Sequence, residues 1–105
     1  MFKAMIEGVP LPLMIANKAS QIIFANTWAE KFVGYSRPEL VGVNLRDLYA
    51  PYERSRYIFS MLSNIQKTIE VDLDLRRKSG EILTSSVSFA PFHHDGTSYF
   101  LITVS

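Results

Sequence analysis

Two histidines, His93 and His94, stand side by side before Asp95 and are the only histidines among 105 residues. A metal site wants three or four ligands converging on one point. Neighbouring residues of a strand face opposite ways, so the pair cannot chelate together. It reads as the exposed end of a loop, and no metal site is expected. Glu70, Asp72 and Asp74 alternate with Val71 and Leu73, which lines the carboxylates along one solvated face. Acid–base catalysis needs carboxylates that share a cleft and shift each other's pKa; a row on a surface does neither. Ser85 or Ser88 with His93 and Asp95 would make a hydrolytic trio on paper, yet no nucleophile-elbow turn presents either serine. No catalytic residue is assigned, and the domain is not expected to be an enzyme.

Ser85 carries a different signal. It falls on the presumed inward face of a strand between Leu83 and Val87, where the pattern asks for an apolar side chain. Its hydroxyl can bond a ligand, or it can be satisfied by backbone or water. Tyr35, Tyr49 and Tyr57 offer phenols to the same interior or, as amphipathic residues, to the surface. Trp28 looks buried, and the phenylalanines at 24, 32, 59, 89, 92 and 100 read as core.

The elements that must position these groups follow from composition and period. One domain of this length can bury one core, and 48% hydrophobic with 12% aromatic residues suffices to fill it. Eleven Lys and Arg against ten Asp and Glu leave a net charge of +1, without the basic excess of a nucleic-acid module. The run Arg76-Arg77-Lys78 reads as a solvated strand tip. The absence of cysteine excludes disulfides, thiolate catalysis, cysteine-ligated zinc and any flavin–cysteine adduct. No apolar run approaches the ~20 residues of a membrane span. No direct membrane contact is expected, and the domain is placed in the cytoplasm, leaving a longer parent free to be membrane-anchored.

Phe2, Met5 and Ile6 stand at helical spacing, and Gly8, Pro10 and Pro12 end that turn. Residues 1–10 are therefore a flanking helix or turn, and 11–105 the domain proper. Leu11–Ala16 and Gln21–Ala25 read as paired strands. Asn26 is a helix N-cap, and Trp28, Ala29, Phe32 and Val33 form a stripe that Gly34 closes. Ser36 with Glu39 and Pro38 begins a second turn, stopped by Gly42. Asn44 caps a third, with Leu45, Leu48 and Tyr49. Pro51 starts a longer helix whose buried face is Ile58, Met61, Leu62 and Ile65. From Thr68 the period becomes two: Val71, Leu73 and Leu75 face in, then Leu83, Ser85, Val87 and Phe89 after a turn at Arg77–Gly80. Asp95-Gly96 is a hairpin signal, and Tyr99–Val104 is a last strand. The order β-β-α-α-α-α-β-β-β makes an α+β fold, a five-stranded antiparallel sheet with short helices packed on one face.

Taken in order, LPLMIAN, IIFAN, AEKFVGY, PELVGVNL, RRKSGE and SVSFAP resemble the run of motifs of a PAS domain, the sensory module of signalling proteins. The resemblance covers nearly the whole chain; Gly34, Tyr35, Glu39, Leu40, Gly42 and Asn44 sit at matching places. It implies that the segment from Asn26 to Gln66 wraps over one face of the sheet and leaves a cavity. A small ligand there shifts the sheet, and the signal leaves through flanking helices to an effector domain of the same chain, such as a histidine kinase or cyclic-dinucleotide enzyme. The family's Asp-x-Thr hinge would fall just past Ser105, so the chain reads as a piece of a longer protein. Phe24, Phe32, Leu45, Leu48, Leu62, Leu73, Ser85, Val87 and Ile102 are the expected cavity lining.

No cofactor is evident. Haem-binding members often carry an axial histidine on the long helix, and Pro51–Gln66 has none. Redox-sensing flavin relatives favour a Trp on the third strand, whereas the single Trp here is Trp28. A cinnamoyl chromophore needs the missing Cys. The runner-up is a ligand-free module for homodimerisation, with Phe2, Met5 and Ile6 seeking a partner chain; a haem- or flavin-binding sensor ranks third.

Overall fold

The computed structural model describes residues 2–50, 58, 60–62 and 64–104. Helix α1 (Phe2–Glu7) precedes strands β1 (Leu13–Asn17) and β2 (Ile22–Ala25). The connecting segment then forms α2 (Thr27–Val33), α3 (Arg37–Leu40), a 3₁₀ turn (Leu45–Leu48) and a two-residue edge strand, β3 (Tyr49–Ala50). Strands β4 (Ile69–Arg76), β5 (Ile82–His94) and β6 (Thr97–Val104) complete the chain. All pairings are antiparallel, in the order β2-β1-β6-β5-β4-β3. The expected five strands are present, and β3 adds a short edge by pairing Tyr49 with Leu75 and Ala50 with Asp74.

Local chemistry accounts for the punctuation. The Asn26 side chain accepts from the Ala29 N–H at 2.8 Å and caps α2, satisfying one of the orphan donors of the first turn. Gly34, at φ 81°, ends it in the left-handed region, its N–H bonded to the Glu30 carbonyl. Asn44 accepts from the Arg46 N–H at the head of the 3₁₀ turn. Asp95 and Gly96 both hold positive φ, 50° and 77°, the two-residue hairpin turn whose twist suits antiparallel strands.

Alternation along the strands sorts side chains onto two faces. The inner face contributes Met14, Ala16, Leu73, Leu75, Val87, Phe89, Phe100 and Ile102 to one cluster with Ala29, Val33, Leu40, Leu45 and Leu48 of the wrap. Backbone bonds also lock the wrap to the β1–β2 hairpin: Ile22 N–H to Val43 O, Gly42 N–H to Ile22 O and Leu45 N–H to Ser20 O. On the outer face Ile6 of α1 packs with Leu13, Ile15 and Phe24 in a second cluster. Thus α1 covers one side of the sheet and the wrap the other.

Two expected burials are corrected. Trp28 is 46% exposed; Ala29 and Val33 take the inward positions of α2, and the indole lies 5.5 Å beneath the Lys31 ammonium at the surface. Met61 is 48% exposed, at the rim of a stripe in which Leu62 is buried and Ile58 and Ile65 pack against the core. Of the helix expected from Pro51, residues 51–57, 59 and 63 lie outside the described residues, and with them Tyr57 and Phe59; Ile58 and 60–62 are helical.

Candidate functional site

Beneath the wrap, Leu45, Leu48, Leu62, Leu73, Val87 and Ile102 are buried together in the larger cluster, and half-buried Phe32 packs against it. Ser85 is buried on the same face of β5, in register with Leu73 of β4. Its Oγ has no hydrogen-bond partner. A buried hydroxyl left this way costs about 1–3 kcal/mol, so Ser85 sets a polar point in apolar surroundings. Tyr49 is buried nearby in the same cluster, and burial pushes its phenol pKa up, which keeps it neutral.

Phe24 does not join them. The β1–β2 register slips between Ile15 and Ala16, so Ile22 opposes Ala16 while Phe24 opposes Ile15. The extra residue flips the parity of the strand. Phe24 therefore lies on the outer face with Leu13 and Ile6, with the Arg37 guanidinium 4.6 Å from its ring centre. A bulge of this kind leaves no mark in a four-residue apolar strand.

Among the cavities that open on the described residues are two that none of the nine expected lining residues borders. One, of about 490 Å³, lies at the tip of the β5–β6 hairpin, where Lys18 and the segment from Asn64 to Gln66 face His93, Ser98 and Phe100. The other, of about 240 Å³, is a groove between α1 and the outer face, lined by Met5, Ile6, Ile15, Phe92 and Leu101 among others.

The polar residues wire the wrap to its neighbours. Fully buried Asn26 does more than cap α2: its Oδ1 also accepts from the Leu13 N–H, and its Nδ2 donates to the Ile6, Val9 and Leu11 carbonyls. One side chain thereby joins α1, the start of β1 and the start of α2. Beside it, Glu7 pairs with Arg37 and accepts from the Thr27 N–H and hydroxyl. Arg37 donates its backbone N–H to Glu30 and its Nε–H to the Ala25 carbonyl.

The basic run is likewise not merely a solvated tip. Arg77 donates to the Phe32 and Lys31 carbonyls and pairs with Glu81. The Lys78 N–H donates to the Val33 carbonyl, and its ammonium to Glu39 at 2.6 Å. Guanidinium forks suit such carbonyl pairs, and they clamp the β4–β5 turn to the end of α2.

The Lys78 ammonium, then the Ser36 N–H and hydroxyl, hold the Glu39 carboxyl down at about 2 from an ordinary 4.5. Folded, this group binds its proton more weakly than unfolded. Its contribution is therefore complete above pH 4.5 and is lost as pH falls through about 2. A Glu39→Gln variant is expected to unfold at slightly lower urea than the wild type near pH 6, the gap narrowing toward about pH 3. A gap that widens on acidification would contradict the assignment.

The chemistry-bearing candidates stay apart. His93 Nδ1 is 3.0 Å from the Ser98 hydroxyl, whereas His94 Nε2 is 3.2 Å from the Asp95 carboxylate. Among the described residues no three His, Cys, Asp or Glu side chains group to hold a metal. Glu70 accepts from Ser86 and Asp74 from Thr84 across the strands. Ser85 and His93 are eight positions apart on one strand, about 26 Å, so the paper trio is not assembled. Among the described residues no helix is long and apolar enough to cross a membrane.

A family model described as "PAS domain" matches residues 10–105. The chain belongs to the PAS domain family. Two solved PAS domains share the fold. That of the HTR-like protein from Haloarcula marismortui has a TM-score of 0.86 at 17% identity, covering 99% of this chain and 87% of that one. A PAS domain from a two-component sensor histidine kinase has a TM-score of 0.82 at 16% identity, covering 99% and 91%. In sequence the PAS domain is 28% identical, over 115 residues, to a blue-light-activated histidine kinase of Brucella anthropi. The match takes in 98% of this chain but only 23% of that kinase. The PAS domain is a sensory module.

Proposed function

We propose that this PAS domain is the cytoplasmic input module of a signalling protein of the sensor histidine kinase kind. A small, mostly apolar ligand lodges beneath the wrap, alters how the wrap packs on the sheet, and the change leaves through the flanking segments to an effector domain. The observation that carries this reading is the Ser85 hydroxyl, buried without a partner on the inner face. A ligand atom bonded to it in one packing and not in another gains about 1 kcal/mol. That shifts the ratio of the two packings about fivefold. The absence of cysteine removes the thiol needed for a flavin adduct, so light sensing by that route is not proposed for this chain.

A second reading, a ligand-free homodimerisation module, is favoured by one feature: Met5 of α1 is 65% exposed beside the 240 Å³ groove. Native mass spectrometry of the purified chain separates the two. A retained small-molecule adduct, reduced in Ser85→Ala, supports the sensor reading. A bare dimer that Met5→Glu dissociates supports the second. A bare monomer overturns both.

A further inference from the structure

The cavity at the hairpin tip takes no part in the reading above. It is walled by the inner face of the β5–β6 turn region, the β1–β2 turn and the segment leading into β4. Its volume, about 490 Å³, falls within the ~300–1,000 Å³ of small-molecule sites. Its charge is one-sided: Lys18 lines it, and no Asp or Glu does among the described residues. Lys18 has no acidic partner among those residues. His93 is bonded only through Nδ1, to Ser98, leaving Nε2 without a partner among them. The amides of Asn64 and Gln66 add donors that can turn to an oxygen. Pro91 and Phe100, paired two positions along the hairpin from His93 and Ser98, add an apolar wall.

An unpaired cation, hydrogen-bonding amides and an apolar wall around one space suit a molecule with an anionic end and an apolar body. We propose that this cavity is a binding site for a small organic carboxylate, its carboxylate held between Lys18 and the His93–Ser98 pair, its body against Pro91 and Phe100. A carboxylate matches this setting better than a free inorganic anion, which would leave the apolar wall wet. Occupancy ties the hairpin tip to the segment ahead of β4.

The test is a titration of the isotopically labelled chain with benzoate, followed by its backbone amide resonances. Benzamide, the neutral isostere, and inorganic phosphate are titrated alongside. Benzoate is expected to move the amides of Lys18, Gln66, His93 and Ser98. Benzamide and phosphate are expected to bind about fivefold more weakly or worse, the scale of one partly exposed ion pair. Lys18→Glu, at an exposed turn position, should weaken benzoate about fivefold while the rest of the spectrum stays in place. Shifts that avoid these four amides, equal binding of benzamide or phosphate, or indifference to Lys18→Glu would each overturn the proposal. None of these results bears on Ser85, so the sensor reading stands or falls separately.

Discussion

Asn26→Ala is expected to destabilise the domain by about 3–5 kcal/mol, read as a lower urea midpoint. The side chain is fully buried and engaged by two donors and three acceptors of the backbone. Removing it takes the Oδ1 acceptor from the buried Leu13 and Ala29 N–H groups and a donor from the Ile6, Val9 and Leu11 carbonyls. Loss of the cap contributes about 1 kcal/mol; the rest comes from buried groups left without partners. Asn26→Asp should be intermediate, because it keeps the Oδ1 acceptor for both N–H groups and sets a carboxylate against three carbonyls. Hydrogen exchange should place the loosening first in α1, which depends on this side chain and the Glu7–Arg37 pair. A cost below about 1 kcal/mol, that of a cap alone, would show that the bonds to α1 and β1 contribute nothing.

Phe89→Ala is expected to cost about 3–5 kcal/mol. Phe89 is fully buried in mid-sheet, in register with Ile69 of β4 and Ile102 of β6. Truncation leaves a hole between sheet and wrap that this bonded roof can only partly collapse into. An apolar hole of that kind stays dry and accepts small apolar molecules. Benzene should therefore raise the Tm of Phe89→Ala while leaving the wild type unchanged. A cost under about 1.5 kcal/mol, with no response to benzene, would mean that the wrap sinks freely onto the sheet. That result would remove the two distinct packings on which the sensor reading depends.

Much of this architecture is legible in the amino-acid sequence. The period-two run from Glu70 to Arg76 became β4, and the Asp95-Gly96 pair became its two-residue turn. Asn26, Ser36 and Asn44 each sit at the head of a helical turn. The inward placement of Ser85 followed from its parity with Val87 and Phe89. What escaped was the second role of residues whose first role was plain. Asn26 read as a cap, and its reach to Ile6, 20 positions away, was invisible. Arg77 read as a charged tip, although it bonds Lys31 across 46 positions. Phe24 was misplaced by a bulge, and Trp28 by a stripe broad enough to spare its edge.

The amino-acid sequence by itself determined the order of elements, their ends and the face on which most side chains lie, because caps, turns and alternation act between residues a few positions apart. Tertiary structure alone decided which face Phe24 takes, where the open space lies, and which polar groups tie α1 and the β4–β5 turn to the wrap. Those outcomes depend on strand register and on hydrogen bonds between distant residues, whose geometry exists only once the sheet has closed against its roof.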